Sequence, residues 1–199
     1  MPFYRLTYTE AQAAFAAQAI NTTLKELDAD LRSLVEHLTD IELNAELRYG
    51  LIHAVSEYHV KMWGDASLAT LASRSIVYGG EADYSRDANL IYNASTLVLN
   101  ATRPQLRSTV NQRLFDVFAA GSCVVTDFRE DLAHIFPDTY AHFTYADHSS
   151  LRRTIDRLLK NSDERREISA ACRERVLSQH TYDHRVAQLI DVFIATVQK

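Results

Sequence analysis

A chain of 199 residues, 47% of them hydrophobic and 24% charged, is long enough for one α/β domain with a substantial core and short for two independent ones. Its formal net charge of -5 argues against a nucleic-acid surface, which needs a basic stripe. No apolar run is long enough for a membrane span, and no signal peptide opens the chain.

From Glu10 to Leu38 the sequence is alanine-rich and free of breakers. Ile20, Leu24, Leu27, Leu31, Leu34 and Leu38 recur at alternating steps of four and three, which makes one apolar helical stripe. It reads as a helix packed on a core or on its neighbour, with a coiled-coil seam as the alternative. A second helix is expected over Asp40–Glu57, with Ile41, Leu47, Leu51 and Val55 inward. Residues 1–58 would then be an antiparallel helical hairpin packed on a domain formed by residues 59–199.

After Tyr58 short elements alternate. HVKMW (59–63) reads as a strand, Ala66–Ala72 as a short helix, and SIVYGG (75–80) as a strand running into a Gly-Gly turn. A helix over 85–95 has Ser85 placed to cap it, and TLVLN (96–100) is a buried-type strand. The polar loop ATRPQLRS leads to a helix over Val110–Ala120, then to a strand from Cys123 to Thr126 and a short helix over Glu130–Ile135. HFTY (142–145) is expected to be the last strand, before helices over 149–160, 163–178 and 183–198. Alternating strands and helices predict a Rossmann-like α/β fold, a parallel sheet of about four to five strands flanked by helices. Ligands of such sheets bind at the carboxyl ends of the strands, so Gly79-Gly80, Asn100 and Thr126-Asp127 should face one crevice.

Thr109, three residues before Gln112, fits a capping box and fixes the predicted helix start near Val110. A helix start aimed at the crevice is an anion site. Arg103, Arg107 and Arg113 surround it, and phosphate is the natural anion to offset them. Arg113 and Asp116 share a helix face. From spacing alone they are either a surface ion pair or a phosphate–ribose cradle, with the Asp116 carboxylate accepting two ribose hydroxyls. Asp127 either caps the following helix or joins the site. The two cysteines, Cys123 and Cys172, fall in apolar patterns and are expected as buried thiols in a reducing cytoplasm. His134, His142 and His148 are loosely spaced, and His180 and His184, four apart, lack a carboxylate or cysteine partner at ligand distance, so no metal site is expected. There is no GxGxxG, Walker A, HExxH, CxxC or GxSxG motif.

NQRLFDVFAAG followed by VVTD resembles the N-x-R-x-F-[ED]-x-x-A-x-G…TD block in the carboxyl-terminal donor domain of CgeB-like, group 1 glycosyltransferases of the GT-B fold. LIYNASTLVLN resembles the element before that block, and RERVLSQHTYDHRVAQLI resembles the closing HTY-x-x-R helix. The resemblance covers residues 59–199 and is specific in combination. It implies a half-site for a UDP- or GDP-linked sugar, as substrate and with no cofactor. Asp116 would hold the ribose, and Gly79, Gly80 and Glu81 would contact the base. Arg107, Asn111 and Arg113 would meet the diphosphate, with Asn100, Thr109 and Asp127 lining the same site.

The wider family often carries a second acidic residue eight positions before the first, where this chain has Ser108. The amino-terminal acceptor domain of GT-B enzymes is also missing, so the chain reads as a truncated donor domain. It is expected to bind nucleotide sugar weakly, to need an acceptor domain in cis or in trans, and not to turn over alone. An exposed edge left by a missing first strand, suggested by the abrupt start, would favour a homodimer. The alternative function is a non-catalytic assembly module that uses the amino-terminal helices.

Overall fold

A computed structural model describes residues 47–103 and 106–197. The long stripe of residues 20–38, the first helix of the expected hairpin and the start of its second lie outside these residues. The described chain begins in a helix, α1 (47–54), which docks through Leu51 and Ala54, with Val55 beyond its end, on the common core. Leu47, expected on the inner face, is exposed; Ala54 takes the inward place beside Leu51 and Val55.

Five short strands follow, β1 (Val60–Met62), β2 (Ile76–Tyr78), β3 (Val98–Asn100), β4 (Val124–Asp127) and β5 (Thr144–Tyr145). Every pairing is parallel, as the crossover helices require. The strands divide between a two-stranded sheet, β1-β2, and a three-stranded sheet in the order β3-β4-β5. The expected α/β, Rossmann-like arrangement is present, with its five strands in two hydrogen-bonded groups rather than one. A 3-10 turn at Ala66–Leu71, capped by the Asp65 side chain, joins β1 to β2.

The core sits under the three-stranded sheet. Helix α2 (Ala88–Ala94) precedes β3, and α3 (Gln112–Ala119) buries Leu114, Val117 and Phe118 completely. Two single-turn helices, α4 (Leu132–Ile135) and α5 (Tyr140–Phe143), bring Phe136 and Phe143 against Phe118, with ring centroids 5.0–5.7 Å apart. Each such buried side chain contributes roughly 1.5–3 kcal/mol of transfer free energy. Helix α6 (His148–Lys160) starts with a capping box between Asp147 and Ser150 and buries Leu151, Ile155 and Leu158. Helix α7 (Ser162–Gln179) packs on α3 through Ile168, Cys172 and Val176. The last helix, α8 (Tyr182–Val197), buries none of its residues.

Three local expectations are corrected. HFTY alternates like a strand, but Phe143 closes the aromatic cluster as the last residue of α5, and only Thr144 and Tyr145 pair with β4. Ser85 does not cap a helix. The Asp83 carboxylate accepts from the Ser85 N–H, the Ser85 hydroxyl and the Arg86 N–H, an Asx-type turn that delays α2 to Ala88. Thr109 forms no capping box either: α3 begins at Gln112, with Asn111 in the N-cap position.

Candidate functional site

Register places Asn100, the last residue of β3, beside Thr126 of β4. Asn100 is fully buried, and a buried amide must find partners for all its groups. Its Nδ2 donates to Thr126 Oγ1 at 3.0 Å and to Asn111 Oδ1 at 3.2 Å, while its Oδ1 accepts from Asn111 Nδ2 at 3.0 Å. The Tyr145 hydroxyl donates to its carbonyl at 3.1 Å. This reciprocal amide pair fixes the start of α3 to the end of β3. Because the Asn111 side chain faces Asn100, it does not cap α3, and the helix's first N–H groups keep their positive dipole end.

Asp127 fastens the loop between them. Its Oδ1 accepts from the Thr102 N–H at 2.7 Å, and its Oδ2 meets the Arg129 guanidinium at 2.7 Å. Arg129 also donates to the Arg107 and Thr102 carbonyls at 3.2 and 3.4 Å, and the Asp131 N–H donates to the Ser108 carbonyl at 3.0 Å. Asp127 does not cap the next helix, whose N-cap is Asp131. It ties Thr102 to β4 directly and the Arg107 carbonyl through Arg129.

Around the start of α3 stand Arg103, on the loop, and Arg113, on the first turn, both exposed. Arg48 of α1 joins them. Desolvation first, then the like charges of Arg113 and Arg103, hold its guanidinium below the ordinary range. None of the three makes an ion pair with a carboxylate among the described residues. Among the described residues Arg113 hydrogen-bonds Asn100 Oδ1, at 3.5 Å.

Arg113 and Asp116 do not form the surface ion pair that their spacing allows. Asp116 Oδ2 instead accepts from the Tyr84 hydroxyl at 2.8 Å, and Gln112 Nε2 donates to the same hydroxyl. Burial raises the Asp116 carboxyl above its ordinary value, against the opposing pull of Tyr84, Gln112 and Arg113. Burial and the Asp116 contact push the Tyr84 phenol up to about 12.

The structure thus brings Asn100, Asn111, Arg113, Asp116, Thr126 and Asp127 together, with Arg107 and Thr109 on the adjoining loop. Gly79, Gly80 and Glu81 follow β2 in the other sheet, and Tyr84, four residues beyond Gly80, connects that segment to Asp116. Gly79 lies against Trp63 and Lys61, so close that a Cβ there would sit 2.8 Å from both side chains. Gly80 takes φ +99°, a conformation that favours glycine. Sequence reading missed Tyr84, Arg48 and Arg129. Each acts across a tertiary contact, and the one local signal is Arg129's place two residues after Asp127. Among the described residues no cluster of histidine, cysteine or acidic side chains has the makings of a metal site.

Parallel strands whose carboxyl ends meet a helix start, with arginines on one side and a carboxylate one turn on, place this chain among the α/β proteins, a class whose ligands bind at the strand ends. The chain belongs to the glycosyl transferase-like family, whose model matches residues 42–191. That membership supports a role in glycosyl transfer. Neither the curated proteins nor the solved structures contain a match to this chain. No helix among the described residues is long and apolar enough to cross a membrane.

Proposed function

We propose that this chain is the donor-binding domain of a CgeB-like glycosyltransferase, taking a UDP- or GDP-linked sugar at the start of α3 and working with an acceptor-binding domain in cis or in trans. The observation that carries this reading is the group of Arg48, Arg103 and Arg113, without carboxylate partners among the described residues, beside the start of α3. A diphosphate offsets those charges, and Asp116, one turn further along, accepts the ribose hydroxyls. When the sugar leaves, negative charge grows on the diphosphate. Arginines and helix N–H groups already aimed there stabilise it without reorganising, which is electrostatic catalysis and needs no protein nucleophile in this domain. Gly79, Gly80 and Glu81 take the base in this reading, and Asn100, Asn111 and Asp127 hold the frame.

Calorimetry with UDP, GDP and their sugars tests the proposal. Arg113→Ala and Asp116→Ala are each expected to weaken binding at least tenfold, roughly the loss of one charge-assisted hydrogen bond. Unchanged binding in both variants would move the site elsewhere. No binding of any nucleotide would favour the non-catalytic assembly module.

A further inference from the structure

A second polar opening lies at the amino ends of β3 and β4, opposite the edge that carries Asn100 and Asp127. It is a groove of about 470 Å³ between α7 and the two turns that lead into those strands, within the roughly 300–1,000 Å³ of small-molecule sites. The turn before β3 supplies Ser95 and Thr96, the turn before β4 supplies Ser122, and α7 supplies Arg165, Ser169 and Arg173. The three α7 residues recur at steps of four and share one helix face. The two arginines are thus about 12 Å apart along the axis, with Ser169 midway. From Ser95 to Asn100 the chain runs about 16 Å, so the sheet separates this groove from the start of α3.

Charge in the groove is unbalanced. Among the described residues no aspartate or glutamate lines it, and neither Arg165 nor Arg173 makes an ion pair. A third arginine on its rim, Arg166, is offset by Asp163 at 3.3 Å. Helix ends account for part of the other two: Arg173 Nε donates to the Ala119 carbonyl at 3.0 Å, and Arg165 to the Leu158 carbonyl at 2.5 Å. Each bond uses one of the five N–H groups of a guanidinium. The neighbouring carbonyls are already met. Ser95 Oγ donates to Ile91, Ser122 Oγ to Ser95, and the Gly121 and Ser122 N–H groups to Phe118 and Val117. Among the described residues the remaining N–H groups of both guanidinia meet no protein acceptor. We propose that this groove binds a small phosphate ester, with its phosphate held by Arg165 and Arg173 over Ser169. A phosphate carries up to two charges and three terminal oxygens, which suits two guanidinia approaching from different sides. The rest of the groove, towards Thr96, has room for the organic part.

Amide NMR of the full chain near neutral pH tests the site, in about 0.15 M sodium chloride to screen loose surface attraction. Ribose 5-phosphate and inorganic phosphate are the probes. Ribose 5-phosphate is expected to give saturable shifts at the amides of Thr96, Gly121, Ser122 and Ala170, and to bind more tightly than inorganic phosphate. Arg165→Gln with Arg173→Gln keeps a donor for both helix-end carbonyls but removes the charge, and should weaken binding about tenfold or more. Thr96→Asp, on an exposed turn outside the core, should weaken it as well by placing a carboxylate in the groove. Four results would each overturn the proposal. These are no saturable shift at the four amides, binding unchanged by either variant, and shifts confined to the amides of residues 111–113, which would leave the start of α3 as the phosphate site. The fourth is inorganic phosphate binding as tightly as the ester, which would make the groove a simple anion site.

Discussion

The Tyr84 hydroxyl donates to Asp116 Oδ2 at 2.8 Å, so the carboxylate expected to receive ribose hydroxyls already holds a hydroxyl of the protein's own. The contact also bridges the two sheets, since Tyr84 follows β2 and Asp116 lies on α3. A ligand using Asp116 must share the carboxylate or displace the phenol.

Tyr84→Phe removes that competitor. If the proposed ribose contact holds, UDP or GDP should bind about two- to tenfold tighter, the scale of one net hydrogen bond, as read by titration calorimetry. An unchanged constant would separate Asp116 from the ligand.

Asn100→Ala removes the donor to Asn111 Oδ1 and the buried donor to Thr126 Oγ1, leaving Asn111 Nδ2 with the Ala101 carbonyl at 3.4 Å and the Thr126 hydroxyl with Asp127 Oδ1 at 3.3 Å. Unsatisfied buried polar groups are costly, and urea unfolding should show a loss of about 2–4 kcal/mol. Loop 101–108 should become less protected from exchange, because the amide pair is one of its two anchors.

Asp127 is the other anchor. Asp127→Ala leaves Arg129 largely buried without its counter-charge, and should cost about 2–4 kcal/mol. Adding Arg129→Ala should recover part of that loss, since the double variant no longer buries a lone cation. Purely additive losses in a double-mutant cycle would mean that the pair is not coupled.

How much of this was legible beforehand differs between helices and site. The helices α3, α6 and α7 were readable because their apolar positions recur at helical spacing, and β3 and β4 because buried parallel strands are short and continuously apolar. HFTY misled because Phe143 and Tyr145 share a parity, while the partners that decide Phe143's place, Phe118 and Phe136, are distant in sequence. The site's polar residues were visible as types, but their assignments were not. Asn100 and Asn111 bond each other, Asp127 chooses Arg129 over a helix cap, and Asp116 chooses Tyr84 over Arg113. Each choice is settled by side chains that only folding brings near, and spacing carries no trace of it.

Gly79 has a stricter requirement than its turn suggests. A Cβ there would meet Trp63 and the Lys61 chain at 2.8 Å, while the Lys61 ammonium lies 4.4 Å from the Trp63 ring centre. Gly79→Ala should lower the melting temperature by several degrees, on the scale of about 1–3 kcal/mol of overpacking. Trp63→Ala in the same chain should relieve most of the added strain.

His180 makes stability depend on pH. Arg185 donates to its Nδ1 at 2.5 Å. The ring is therefore neutral and carries its proton on Nε2, buried against Phe115 and Phe136. Burial, then Arg185, Arg175 and His184, lower its pKa from the ordinary 6.5. The unfolded chain thus takes up the proton first as pH falls. Stability is full above about 6.5 and is lost as pH drops below that value through the lowered folded one. His180→Phe should flatten the slope of unfolding free energy between pH 7 and 5, and an unaltered slope would assign the pH dependence to other groups.

Both cysteines lie in the core, Cys123 before β4 and Cys172 on α7, and burial pushes their thiols up to about 11 and about 12. At neutral pH fewer than about one in a thousand of either is thiolate, the only form that attacks an electrophile. The folded protein should therefore react with a maleimide at neither native thiol. A single cysteine introduced on an exposed position would carry a fluorophore or spin label alone, with no native thiol to remove first.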